Sequence, residues 1–140
     1  MTDIFSPEKR SWIMSRIRSK NTSIDLKMKK MLSQKRWKFV MYPAMYGNPD
    51  FADLKNRIIV FCDGDFWHGY NYGKKRLAKK YWRDKIETNM KRDKRIRRKL
   101  RRDGWSVICC WEHDIKKRPE FCKRKIARSV ERRRIQKVQR

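Results

Sequence analysis

Pro49-Asp50-Phe51-Ala52-Asp53-Leu54, then Lys55-Asn56, then Arg57-Ile58-Ile59-Val60-Phe61-Cys62 and Asp63-Gly64-Asp65-Phe66-Trp67-His68 form the stretch that decides the fold. It reads as strand, two-residue turn and second strand, an antiparallel hairpin. Asp50 begins one strand and Asp63 ends its partner, so both lie near the same end of the pair. Their carboxylates are placed to converge on one cation, with the backbone carbonyl of Cys62 as a further oxygen donor. Mg²⁺ suits such a set, since it takes one or two carboxylates, several waters and a substrate phosphate. The ion would polarise a phosphoryl oxygen and activate water for attack. His68 follows closely and is one of only two histidines. An imidazole there is suited to act as general base near neutral pH, or else to a hydrogen-bonded structural role. Asp65 in Asp-Gly-Asp is equally good turn chemistry. Asp53 is read as an outer ligand or a surface charge.

These carboxylates stand out against the rest of the chain. The 140 residues carry 41 Lys and Arg against 15 Asp and Glu, a formal charge of +26. Such an excess costs self-repulsion in the compact state, and a nucleic acid partner is its natural explanation. An acidic hairpin in so cationic a chain points to a nuclease. Neither a lipidation signal nor an 18-residue apolar run is present, so no membrane role is expected. Cys62, Cys109, Cys110 and Cys122 form no C-x-x-C pair and read as reduced core thiols. Cytoplasmic localisation, on the nucleoid through DNA binding, is the expectation.

Ser6-Pro7-Glu8 starts a helix running to about Ser19, and Asn21-Thr22-Ser23 caps another over 23–35 with Ile24, Met28, Met31 and Leu32 inward. Residues 37–42 alternate like a strand, and 69–78 read as a loop. A long basic helix follows from about Lys79 to Asp103, stopped by Gly104. On it Lys91, Arg95, Arg98 and Arg102 are phosphate candidates, or solvated charges. Residues 105–111 form another strand, and Pro119 opens a last helix on Cys122, Ile126 and Val130. The order predicts a single α/β domain over 1–131, with a mixed central β-sheet flanked by helices and a basic, flexible tail over 132–140. Phe66 and Trp67, beside the acidic hairpin, either cover the core or form a wedge that unstacks base pairs. Trp82 on the basic helix has the same two readings.

The ordered series Lys9-Arg10-Ser11 with Met14, Asn21-Thr22 to Asp25, Pro49-Asp50-Phe51, Val60 to His68, Tyr81-Trp82, Lys85-Ile86, Asn89, Arg92-Asp93, Gly104-Trp105 and Trp111-Glu112 resembles the very-short-patch-repair (Vsr) mismatch endonucleases. These are a branch of the PD-(D/E)xK nucleases, and the resemblance covers residues 8–128. It implies a restriction-endonuclease-like domain and Mg²⁺-dependent nicking of double-stranded DNA beside a T:G mismatch left by deaminated 5-methylcytosine. By the same resemblance Asp50 is the principal metal ligand, Cys62 lends its carbonyl, and Asp63 stands beside the metal. His68 assists the attacking water, and Asp25 is an acidic helper. Phe66, Trp67 and Trp82 match intercalating aromatics, Lys85 and Asn89 match residues that read the mismatched bases, and Met14 matches a contact from the N-terminal segment. Family members hold a structural zinc where this chain has Asp65, Tyr70, Tyr72 and His113. No structural zinc is therefore expected, and the 69–78 loop is expected either to be held by packing of Tyr70 and Tyr72 or to be mobile in the absence of DNA.

Two other readings remain open from the residues. One keeps the active site but directs it at another target, as in a homing- or restriction-type endonuclease. The other is a non-catalytic basic nucleic-acid-binding protein, which has no need of Asp50, Asp63 and His68 together. A single wedge and a single nick need no two-fold symmetry, so a monomer is expected.

Overall fold

The hairpin forms with the expected pairing. In the computed structural model, which describes residues 22–66, 68–70 and 80–138, the elements are α1 (Ser23–Gln34), β1 (Val40–Met41), β2 (Phe51–Asp53), β3 (Ile58–Asp63), α2 (Lys80–Arg102), β4 (Ser106–Trp111), α3 (Glu112–Lys117) and α4 (Pro119–Val138). The sheet order is β1-β2-β3-β4. The first three strands pair antiparallel and β4 joins β3 in parallel. A parallel neighbour needs a long crossover, and α2 supplies it. This is the mixed α/β sheet flanked by helices that the sequence predicts.

Strand alternation sorts the core into two layers. Ile58, Val60 and Cys62 of β3 join Ile108 and Cys110 of β4 beneath α1, α3 and α4. Ile59 and Phe61 turn the other way, toward Leu100 and Ile96 of α2. Cys109 and Cys110 accordingly lie on opposite faces, and all four cysteines are free thiols. No helix among the described residues is long and apolar enough to cross a membrane.

The first strand is shorter than the alternation over 37–42 suggests. Trp37 and Phe39 pack against the core without joining the ladder. Tyr42, at φ +52°, ends the strand after Met41. The last helix is longer than expected and runs unbroken through Val138, so the chain is helical where a flexible tail from residue 132 was expected. Side-chain tethers account for the added turns. Arg133 donates to the Gly104 carbonyl at 2.7 Å and to Ser106 Oγ at 3.0–3.1 Å, and Lys137 donates to Asn56 Oδ1 at 2.7 Å. Asp53 is buried rather than displayed, and its carboxylate closes the hairpin turn by accepting from Asn56 N and Nδ2. The helix expected over 6–19, Met14, Trp67 and Tyr72 lie outside the described residues.

Candidate active site

β3 and β4 run side by side so that Cys62 lies next to Cys110 and Asp63 next to Trp111. Crevices beyond the carboxyl ends of parallel strands are the usual ligand sites of open α/β sheets. A cavity of about 530 Å³ opens there, lined by Asp25, Asp50, Cys62, Asp63, His68 and Asp93 among others. Asp25 comes from the first turn of α1, where Thr22 accepts the Asp25 N–H as N-cap. Asp50 comes from just before β2, and its Oδ2 accepts the Cys62 N–H at 2.7 Å. One ligand atom each of Asp25, Asp50 and Cys62 lies within 4.8 Å of the other two, a group able to hold a metal ion.

The donor chemistry selects among cations. The two carboxylates are hard oxygen donors of the kind Mg²⁺ and its neighbours take. Burial, and then the charges of Asp50, Asp25 and Asp63, push the Cys62 thiol well above its ordinary pKa. A protonated thiol is a poor ligand for a hard ion, which leaves the carboxylates of Asp25 and Asp50 as the side-chain donors of this group. Burial also raises Asp50 to about 7, opposed by the Cys62 N–H and reinforced by Asp25 and Asp63. A carboxyl group held so high by burial and, to a lesser degree, by neighbouring carboxylates is relieved by a cation placed among them.

Tyr42 was not legible as a site residue. Its left-handed backbone sends its N–H to the Asp50 carbonyl at 2.8 Å and its hydroxyl to Asp25 Oδ2 at 2.5 Å. One strained residue thereby holds the Asp25 carboxylate and the Asp50 backbone, and strain held by the surrounding structure is common at functional sites. Gly47, at φ +84° in the same cavity wall, has Ile96 where a side chain would start, so the loop lies against α2.

Asp63 takes a different partner from the one the hairpin suggests. It shares the face of Phe61, which α2 covers. Arg97 of α2 lies over the Phe61 ring and donates to Asp63 Oδ1 at 2.7 Å. Asp63 thus lines the cavity but is held by a guanidinium, outside the Asp25–Asp50–Cys62 group. Its Oδ2 and Arg97 Nε are buried without a hydrogen-bond partner among the described residues.

His68 closes the opposite wall. Its Nδ1 lies 2.5 Å from Asp93 Oδ2 and 3.7 Å from Asp63 Oδ1. The bond to Asp93 places the proton on Nδ1 and leaves Nε2 as the basic nitrogen. Burial works against the imidazolium, but the hydrogen bond to Asp93 and the charges of Asp63 and Asp93 outweigh it and raise the His68 pKa. Asp93 is correspondingly lowered: burial opposes this, and the bond to His68 overcomes it.

The aromatic and base-reading candidates are less displayed than expected. Phe66 is half-buried, edge-on to Trp82 at 6.3 Å, and Trp82 itself is buried. Asn89 is buried on the same helix, and Lys85 is half-buried. Tyr81, exposed and edge-on to Trp82 at 4.8 Å, is the ring that α2 presents at this end.

Where a structural zinc was considered, Asp65 Oδ1 meets His113 Nδ1 at 2.9 Å, and the Tyr70 ring lies 4.2 Å from His113 and 5.2 Å from Trp111. One imidazole, one carboxylate already bonded to it and a phenol do not fit a structural zinc site, which takes four Cys or His ligands. Tyr70 packs as the sequence suggests.

The family model for the DNA mismatch endonuclease Vsr matches residues 2–74. The chain belongs to the Vsr family. This Vsr-family protein is 30% identical to the type II nicking enzyme V.NmeDIP of Neisseria meningitidis serogroup C, across 91% of the chain and 90% of that protein. It is 34% identical to V.XorIIP of Xanthomonas oryzae pv. oryzae, another type II nicking enzyme, across 82% of the chain and 88% of the relative. With the DNA mismatch endonuclease Vsr of Escherichia coli it shares 29% identity over 86% of the chain and 80% of that protein. It is a DNA endonuclease.

Proposed function

We propose that this endonuclease nicks duplex DNA at or beside a T:G mismatch, with Mg²⁺ held by Asp50, Asp25 and the carbonyl of residue 62. The observation that carries the catalytic reading is the meeting of Asp25, Asp50 and Cys62 in one cavity with the His68–Asp93 pair. The ion, when bound, supplies Lewis-acid stabilisation of the phosphoryl oxygens. The protein's own groups do the rest. Tyr42 orients Asp25, and the Cys62 N–H orients Asp50. His68 Nε2 receives the proton of the attacking water, while Asp93 holds the tautomer and stabilises the imidazolium that forms. Arg97 neutralises Asp63, so that the wall nearest His68 does not repel phosphate.

Mismatch selection is supported by family membership and by the aromatic group in which Trp82 meets Phe66 and Tyr81 at the start of α2. Unstacking a duplex costs a few kcal/mol and is cheapest at a mispaired step, so an aromatic wedge favours such sites. Burial of Trp82 in the free protein means that its insertion requires α2's outer end to open on DNA. We further propose a monomer acting in the cytoplasm, where one nick needs one site. The test compares two duplexes that differ by a single T:G pair, with Mg²⁺ present and both strands mapped. The reading expects a nick in one strand and at least about tenfold faster cutting of the mismatched duplex, the discrimination given by about 1.4 kcal/mol. Equal rates on the two would remove the mismatch from the account, and cutting of both strands would favour a restriction-type enzyme.

A further inference from the structure

A second cavity, of about 760 Å³, lies against the first and shares His68, Asp93 and Arg97 with it as a common wall. Its floor is Met90, Cys109 and Trp111, and its rim is cationic. Lys94, Arg97, Arg98, Arg101 and Arg102 supply that rim from one helix, at spacings that place all five on a single face of α2. The neighbouring positions Ile96 and Leu100 pack onto the sheet and fix the orientation of this face.

The cations differ in how they are used. Arg97 is tied to Asp63, and Lys99, outside the groove, is tied to Asp103. Among the described residues no carboxylate pairs with Lys94, Arg98, Arg101 or Arg102. The one carboxylate lining the groove, Asp93, is engaged by His68 and Arg92. Four unpaired cations lining one groove, next to a site for a phosphodiester, are complementary to further phosphates of the same polyanion.

We propose that this groove binds the sugar-phosphate backbone of the strand being cut, at linkages adjoining the scissile one. The inference rests on the acidic cavity being the nuclease centre, and it adds the direction in which the cut strand leaves it. The strand passes over the wall formed by His68 and Arg97, so that the same guanidinium that neutralises Asp63 separates the scissile phosphate from its neighbours. Arg98, Arg101 and Arg102 hold those neighbours by charge, and thereby fix which linkage reaches Asp50.

The test pairs protein and DNA changes in the full-length protein. Duplexes carry a single uncharged methylphosphonate linkage, moved one position at a time through the three linkages on either side of the nick. They are bound by the wild type, by R98Q/R101Q/R102Q and by the charge-keeping R98K/R101K/R102K. The expected result is an affinity loss of about 10- to 100-fold for the Gln variant at 0.15 M salt. Its log–log salt slope should be shallower by about two to three units, near 0.9 for each lost phosphate contact. Two or three linkages on one side of the nick should weaken wild-type binding yet leave the Gln variant insensitive, and the Lys variant should regain that sensitivity. Wild-type affinity in the Gln variant, or a loss that is the same at every linkage, would overturn the proposal. Because binding is read directly, a protein that bound in this pattern but never nicked would leave the groove standing and sink only the nuclease assignment.

Discussion

Asp50 is half-buried among other carboxyl groups, and its pKa near 7 ties the site's function to its stability. In an unfolded chain the group titrates near 4. A carboxyl raised by folding contributes stability that is complete below about pH 4 and is lost as pH rises through about 7. The metal-free protein therefore bears the full strain of this site at pH 8 and only a smaller part of it at pH 5. Asp50→Asn is expected to raise the melting temperature in EDTA at pH 8 by roughly 3–6 °C, allowing for solvent screening, and by much less at pH 5. Calorimetry at the two pH values measures this; an equal shift at both would contradict it. His68 gives a kinetic counterpart. Its raised pKa depends on Asp93, so in saturating Mg²⁺ the acidic limb of the nicking rate should follow His68. Asp93→Asn should move that limb to lower pH, because the hydrogen bond and charge that raise His68 are lost. A limb that stayed in place would assign it to another group.

At the scale of elements, α2 acts as more than a crossover between β3 and β4. Its inner face seals one side of the sheet with Leu100 and Ile96, and Arg97 reaches from it into the acidic cavity. Arg97 and Asp63 are 14% and 2% exposed, so removing the guanidinium leaves a buried carboxylate with only the His68 imidazole, at 3.7 Å, beside it. Arg97→Ala is expected to destabilise by about 3–5 kcal/mol, roughly 10 °C in melting temperature; a loss under about 1 kcal/mol would show Asp63 to be served by water instead. Such pairs mark the limit of what the sequence discloses. The hairpin, the α2 span and the inward stripe of α1 were legible because alternation, turn chemistry and helical spacing are local. Asp50 and His68 were legible because acidic residues and histidines are rare here. The Arg97–Asp63 and His68–Asp93 pairs join residues far apart in the chain, among so many cations that no spacing singles out Arg97. Tyr42 looked like a strand residue, and its role depends on a left-handed turn that no residue type announces. The short helix α3 was hidden for a similar reason, since its apolar content reduces to Ile115.

For the whole molecule, the three layers bring α1, the hairpin and α2 to one end of the sheet, while α4 secures the far face. Arg133 ties α4 to the β4 entrance, and Lys137 ties it to the hairpin turn. Deleting residues 132–140 should therefore lower the melting temperature by several degrees, matching about 1–2 kcal/mol of lost hydrogen bonds. A free tail would leave it unchanged. The +26 charge and the acidic cavity are opposite requirements of one task. The surface gathers a polyanion, and a few carboxylates placed where cations neutralise or replace one another act on it. The most direct measurement is the single-turnover nicking rate of Asp50→Ala in Mg²⁺, taken alongside its affinity for the same duplex. The expected result is a rate loss of at least about 10³-fold, near 4 kcal/mol of barrier, with DNA bound as tightly as by the wild type or more so. A variant that nicks within tenfold of the wild-type rate would place the chemistry elsewhere in the molecule.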